Sequence, residues 1–192
     1  MHDFDDLIAD VETAMAENAQ IYCKNSGMHF FNMPEYFYQT WFFYKFKDEY
    51  TMTAETTATE FLEWHEKHDS DAKARFKRQR FDLAIYNGSP STAQSKQSVQ
   101  AIIEYKNGWF CLQDLERAVN ILSLLKLKHR TLALAGGLVT EEYVKQWWDD
   151  LPQQAKERGF YLKKYEPIDL YFESNHIKAF LIIGTKFVER AT

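Results

Sequence analysis

The chain has 192 residues, 45% hydrophobic and 27% charged, which is enough apolar material for a substantial core and too much for a disordered protein. Gly and Pro number only 7 and 4, excluding collagen-like and linker-rich architectures, and the length fits one domain spanning residues 1–192. The formal net charge of −5 argues against a surface coated in basic patches. That charge is unevenly spread: residues 1–20 carry six acids and no Lys or Arg, while the rest of the chain balances at +1.

Cys23 and Cys111 are the only cysteines and lie far apart, which suits a reducing cytosol and offers no zinc framework. No apolar run approaches the ~18 residues of a membrane span, and the acidic start is the opposite of a signal peptide's basic one. The expected setting is therefore the cytoplasm, with no membrane partner.

In chain order, residues 3–20 read as an amphipathic helix with Phe4, Leu7, Ile8, Val11 and Met15 on one stripe, capped by Asp3 and broken at Asn25-Ser26-Gly27. This acidic N-terminal unit (1–24) is expected to bind a partner, to support an oligomer or to repel nucleic acid from the wrong face. A second helix is expected from Asn32-Met33-Pro34 to Phe46. Residues 30–50 hold 11 of the 31 aromatics, so this helix reads as a buried central one rather than a base-stacking platform. Residues 50–56 alternate like a strand, and a helix is expected over 60–68. The stretch from Lys67 to Arg80 carries +4, either a solvated helix face or a phosphate-contacting surface.

Residues 80–86 and 99–106 read as two strands of a hairpin with a long polar tip. A helix is expected over 113–127, then a buried strand over 131–135 ended by Gly136-Gly137. A helix from Thr140 to Lys156 and two strands near 168–173 and 177–183 complete the chain. The alternation predicts an α/β fold with a mixed central β-sheet flanked by helices and an added N-terminal helix, with a helix and strands over 137–192.

The pattern that carries chemistry is Asp82 on one strand and Glu104-Tyr105-Lys106 on the next. Residues i and i+2 of a strand share a face, so Glu104 and Lys106 point together. Charges in strands this apolar are costly unless they are paired or metal-bound. They are either an ion pair of Lys106 with Glu104 or Asp82, strand-end groups in solvent, or a site. Two carboxylates on neighbouring strands can hold Mg²⁺, which prefers oxygen ligands and keeps several waters. A nearby Lys can act on a bound water or on developing charge.

Asp82 followed by Glu104-x-Lys106, in this order of helices and strands, resembles the PD-(D/E)XK nuclease superfamily, with its restriction-endonuclease-like core of helix, three-strand meander, helix and strand. The resemblance covers about residues 32–136. Two departures stand out: Phe81 rather than Pro precedes Asp82, and an extra basic segment (57–79) separates the first two strands.

The resemblance implies Asp82, Glu104 and Lys106 as catalytic residues. It implies Asp82, Glu104, the Tyr105 carbonyl and Glu35 as ligands of Mg²⁺ or Mn²⁺. Glu35 reads equally as a first-turn acid suiting the helix dipole, and Gln113 is a weaker candidate. Arg75, Lys77, Arg78 and Arg80 are expected to contact the nucleic-acid backbone. His65 and His68 read as surface histidines, Cys111 as a core thiol, and Gly136-Gly137 as a strand end rather than a phosphate loop. The expected function is metal-dependent cleavage of nucleic acid, DNA above RNA, with a homodimer possible. The alternative is a catalytically inactive nucleic-acid-binding or regulatory module of the same fold in a defence or mobile-element system.

Overall fold

The computed structural model of the chain describes residues 3–60, 71, 74, 79–87, 99–125, 127 and 129–189. The basic residues Arg75, Lys77 and Arg78, the histidines His65 and His68, and the hairpin tip at 88–98 lie outside the described residues.

The molecule is α/β, with a seven-stranded mixed sheet flanked by helices. The strands are β1 (Thr51–Thr57), β2 (Arg80–Tyr86), β3 (Val99–Asn107), β4 (Thr131–Thr140), β5 (Tyr161–Lys164), β6 (Ile168–Phe172) and β7 (Asn175–Val188). β1, β2 and β3 form an antiparallel meander, β4 runs parallel to β3, and β7 returns antiparallel to β4. β5 and β6 both pair with β7 on the side away from β4. The helices are α1 (Phe4–Ser26), α2 (Tyr36–Phe46), α3 (Leu112–Ser123), α4 (Glu141–Trp147) and α5 (Leu151–Glu157). Among the described residues, no helix is long and apolar enough to cross a membrane.

Two cores sandwich the sheet. On one face Leu7, Val11 and Met15 of α1 and Tyr38, Phe42 and Phe46 of α2 pack on Leu83, Ile103, Tyr105 and Leu134. On the other, Leu115, Ile121 and Leu122 of α3 and Leu151 of α5 pack on Ala84, Ile102, Ala133 and Ile182. A central strand covered on both faces reads as a continuous apolar run, and β3 and β4 do so: both are buried almost throughout.

α1 is longer than its stripe predicts and stops where Gly27 takes a left-handed conformation (φ 66°), its N–H donating to the Cys23 carbonyl. Its acids are largely occupied within the chain. Asp3 caps the helix, Asp10 accepts from Tyr50 Oη at 2.6 Å, and Glu17 pairs with Lys45 of α2. The apolar stripe of this helix is a wall of the core, while Asp5 and Asp6 stay exposed.

Three further expectations are corrected. α2 buries Tyr38, Phe42 and Phe46 but exposes Tyr36, Phe37, Phe43 and Tyr44, so it is one-sided, not central. The expected helix over 140–156 is split into α4 and α5, with Pro152 in the first turn of α5. Gly136-Gly137 does not end β4, which runs on to Thr140. A Cβ at Gly136 would lie 2.6 Å from Met15 Sδ, and one at Gly137 would lie 2.7 Å from the Trp109 carbonyl oxygen. These glycines are needed for close approach, not for a turn. β5 answers to no expected element, being four residues on an exposed edge.

Gly137→Ala is expected to destabilise the protein by about 1–3 kcal/mol, because a main-chain carbonyl cannot step aside as a side chain would. Urea unfolding checks this.

Candidate functional site

The β2–β3 register pairs Leu83 with Ile103. Continued by one residue, it sets Asp82 opposite Glu104. Cross-strand neighbours have Cβ atoms about 5 Å apart, and like charges there are destabilising. The backbone ladder ends at this point. Instead, Asp82 Oδ2 accepts the Tyr105 N–H at 2.6 Å. Glu104 is only 1% exposed, which removes the reading of a strand-end group in solvent.

Charged and polar groups from both sides of the sheet meet at this fork. From α3, Arg117 reaches Glu104 Oε1 at 2.8 Å and Asp114 Oδ1 at 3.0 Å. From α2, Gln39 Nε2 donates to Asp82 Oδ1 at 3.0 Å and to Glu55 Oε1 of β1 at 2.8 Å. Glu35, just before α2, meets Lys106 Nζ at 3.2 Å, and Lys106 also donates to the Tyr105 carbonyl at 3.0 Å. Arg80 lies 3.6 Å from Glu55 with its side chain largely in water.

α2 is aligned on β3 by a clamp. Asn107 accepts from Tyr38 Oη at 3.1 Å and donates to the carbonyls of Phe30 and Met33. The Tyr38 ring stacks on Tyr105 at 5.7 Å. This clamp fixes the lead into α2 and with it Glu35.

Burial dominates the electrostatics. It pushes the Asp82 carboxyl up to about 6, against the lowering pull of the Tyr105 N–H and Lys106. Burial and then the Asp82 charge push Glu104 to about 8, with Arg117 opposing them. For Lys106, burial works to lower the pKa, but Glu35, Asp82, Asp114 and Glu104 outweigh it and hold the ammonium above its ordinary value.

Glu35, Glu55, Asp82, Glu104 and Asp114 are five carboxylates against three cations, Arg80, Lys106 and Arg117. With every carboxyl ionised, the surplus equals the charge of one divalent ion. Asp114 Oδ2 is buried without a hydrogen-bond partner among the described residues, and such an oxygen carries unused acceptor capacity. The donor set is hard oxygen, as Mg²⁺ or Mn²⁺ requires. Among the described residues no three carboxylate, thiol or imidazole groups converge to hold an ion by themselves. Magnesium is commonly held by one or two carboxylates with its waters retained, so Asp82 and Glu104 fit it.

No family model, curated protein or solved structure matches the chain. The site must therefore be read from its own geometry.

That geometry brings together Asp82, Glu104, Lys106, Glu35 and the Tyr105 carbonyl, while the Tyr105 ring is buried on the α2 side. Arg80 stands at the edge. Gln113 is absent from the cluster; it is engaged by the Cys111 thiol, and Cys111 is half-buried rather than a core residue. Lys106 pairs with neither Glu104 nor Asp82 but with Glu35. Sequence reasoning missed Gln39, Glu55 and Arg117. The signals were there: Gln39 is a lone amide in an aromatic run, and Asp114 and Arg117 are an i, i+3 charge pair on a helix otherwise packed on the sheet.

A carboxyl whose folded pKa lies above its unfolded value leaves the folded state with the extra proton. Its stability contribution is present below the unfolded pKa and is lost as pH rises to the folded one. For Asp82 that window runs from about 4 to about 6. Asp82→Asn is therefore expected to become more stable relative to the parent protein between pH 4 and pH 7. Urea unfolding across that range checks this, and a constant difference would contradict the assignment.

Proposed function

We propose that this protein is a metal-dependent nuclease that hydrolyses phosphodiester bonds, DNA above RNA, with Asp82, Glu104 and Lys106 as its catalytic set. The observation that carries the reading is the opposition of Asp82 and Glu104 across β2 and β3, with Lys106 and Glu35 gathered beside them. The element order supports it: α2, an antiparallel meander, α3 and a strand parallel to the third is the order that the resemblance to PD-(D/E)XK nucleases implies.

Asp82, Glu104 and the Tyr105 carbonyl would hold Mg²⁺ or Mn²⁺, while Glu35, a candidate ligand by resemblance, is engaged by Lys106. When bound, such an ion acidifies a coordinated water and neutralises charge on a phosphate. The chain's own groups do the rest. Glu104 is oriented by Arg117, and Asp82 by Gln39 and the Tyr105 N–H. Lys106 remains protonated at neutral pH, so it serves as a donor that orients the attacking water and stabilises negative charge building on the phosphate. Arg80 extends the cationic contacts toward the substrate backbone. Two free cysteines suit a reducing, cytoplasmic setting.

A silent binding module of the same architecture is the second reading. The specific observation in its favour is Arg117, which already places a positive charge 2.8 Å from Glu104.

Cleavage of plasmid and single-stranded DNA decides between them. The parent protein is expected to cut in Mg²⁺ or Mn²⁺ and to stop in EDTA. Asp82→Asn, Glu104→Gln and Lys106→Ala are each expected to lose about 10²-fold or more. DNA binding without cleavage in the parent protein would establish the silent module, and unchanged activity in all three variants would overturn the nuclease assignment.

A further inference from the structure

α2 presents its side chains in rows spaced by four residues. The row Tyr38, Phe42, Phe46 enters the core. The adjacent row is Glu35, Gln39, Phe43 and Lys47, and beside it run Tyr36, Thr40 and Tyr44. The start of the second row belongs to the site, since Glu35 holds Lys106 and Gln39 bonds Asp82. One turn further on, ~5.4 Å along the axis, the same face is aromatic and open: Phe43 is 48% exposed and Tyr44 68%.

These two rings, with Gln39, Thr40, Lys47 and Ala54 of β1, wall a groove of about 420 Å³. Gln39 belongs to both groove and acid cluster, so the groove adjoins the candidate site. No carboxylate lines it, and Lys47 is its one charged group among the described residues. The groove between α1 and β5 differs, being lined by Asp5 and Glu12 as well as Lys163. A third exposed ring, Trp109, stands 5.9 Å from the Lys106 ammonium. Contiguous exposed apolar surface of this kind marks a binding site.

We infer that this face of α2 docks single-stranded nucleic acid, unpaired bases stacking on Phe43 and Tyr44 while Lys47 meets the backbone, so that the strand is led past Gln39 to Asp82. The inference rests on the nuclease reading and narrows its substrate class. The acid cluster repels phosphates, so affinity must come from flanking contacts. Aromatic faces beside a cation are the contacts that hold unpaired strands of any sequence. A duplex hides its base faces and offers these rings nothing to stack on.

The test measures binding of a fluorescein-labelled 15-nucleotide oligo-dT, and of a duplex of equal length, by anisotropy in EDTA, with sedimentation of the protein alone. The full chain is compared with the double variant Phe43→Ala/Tyr44→Ala and with Phe43→Leu, which keeps apolar volume and removes the ring. The parent protein is expected to bind oligo-dT at least tenfold more tightly than duplex. The double variant is expected to lose about 5–150-fold on oligo-dT per lost stack, and Phe43→Leu to lose several-fold, with duplex binding little changed in both.

Equal affinity of the parent protein for both probes, or oligo-dT binding by the double variant within twofold of the parent, overturns the inference. So does a parent dimer that the double variant converts to monomer while oligo-dT binding persists, which would make the occupant a second copy of the chain. The two readings fail separately. Asp82→Asn that still cuts like the parent sinks the nuclease while leaving the strand-docking face intact. An EDTA-sensitive, Asp82-dependent nuclease whose double variant binds and cuts single strands normally sinks only the docking face.

Discussion

Two carboxylates held opposite each other, nearly out of water, are the constraint on which the rest of this structure depends. The β2–β3 register sets Asp82 against Glu104, and the packing denies Glu104 solvent and leaves Asp82 half-buried. Neither group reaches its ordinary acidity there. Every neighbouring feature answers that problem: Arg117 supplies charge, the Tyr105 N–H and the Gln39 amide supply donors, and Lys106 is held close by Glu35. Replacing such a cluster by apolar residues is often neutral or stabilising. Its presence in the middle of an apolar sheet is therefore better explained by what it binds than by what it stabilises.

The scaffold makes the arrangement rigid. The antiparallel meander fixes Asp82 and Glu104 on adjacent strands, and the crossover through α3 returns Arg117 to them. On the opposite face the Asn107 clamp and the Tyr38–Tyr105 stack fix the start of α2. Gly136 and Gly137 let α1 and the turn after β3 approach β4 more closely than any side chain allows. The acidic N-terminal helix, an oddity on charge alone, is an integral layer in which Asp3 caps the helix, Asp10 bonds to Tyr50 and Glu17 to Lys45.

Much of this was legible in the sequence. The strands at 80–86 and 99–106 could be read from apolar runs bounded by turn residues, and the Asp82, Glu104, Lys106 pattern stood out because charge in such strands is expensive. Glu35 was legible only as a choice between two roles. Arg117 and Gln39 were not read, because their partners are fixed by helix-to-sheet packing and not by spacing along the chain. The aromatic helix was misread for a related reason: composition counts rings but does not say which face they occupy. The double glycine was misread because a missing side chain serves a turn and a tight contact equally well, and only the neighbours Met15 and Trp109 tell them apart.

The central claim, that Asp82 and Glu104 together hold one divalent cation, is tested most directly by calorimetric titration of Mn²⁺ into the full-length chain at pH 7. The account predicts one ion per chain and, because Glu104 holds its proton up to about 8, proton release on binding, seen as a heat that varies with the buffer's ionisation enthalpy. It further predicts a tenfold or greater loss of affinity in both Asp82→Asn and Glu104→Gln. Binding with the same stoichiometry and affinity in both variants, or no binding by the parent protein, would contradict it.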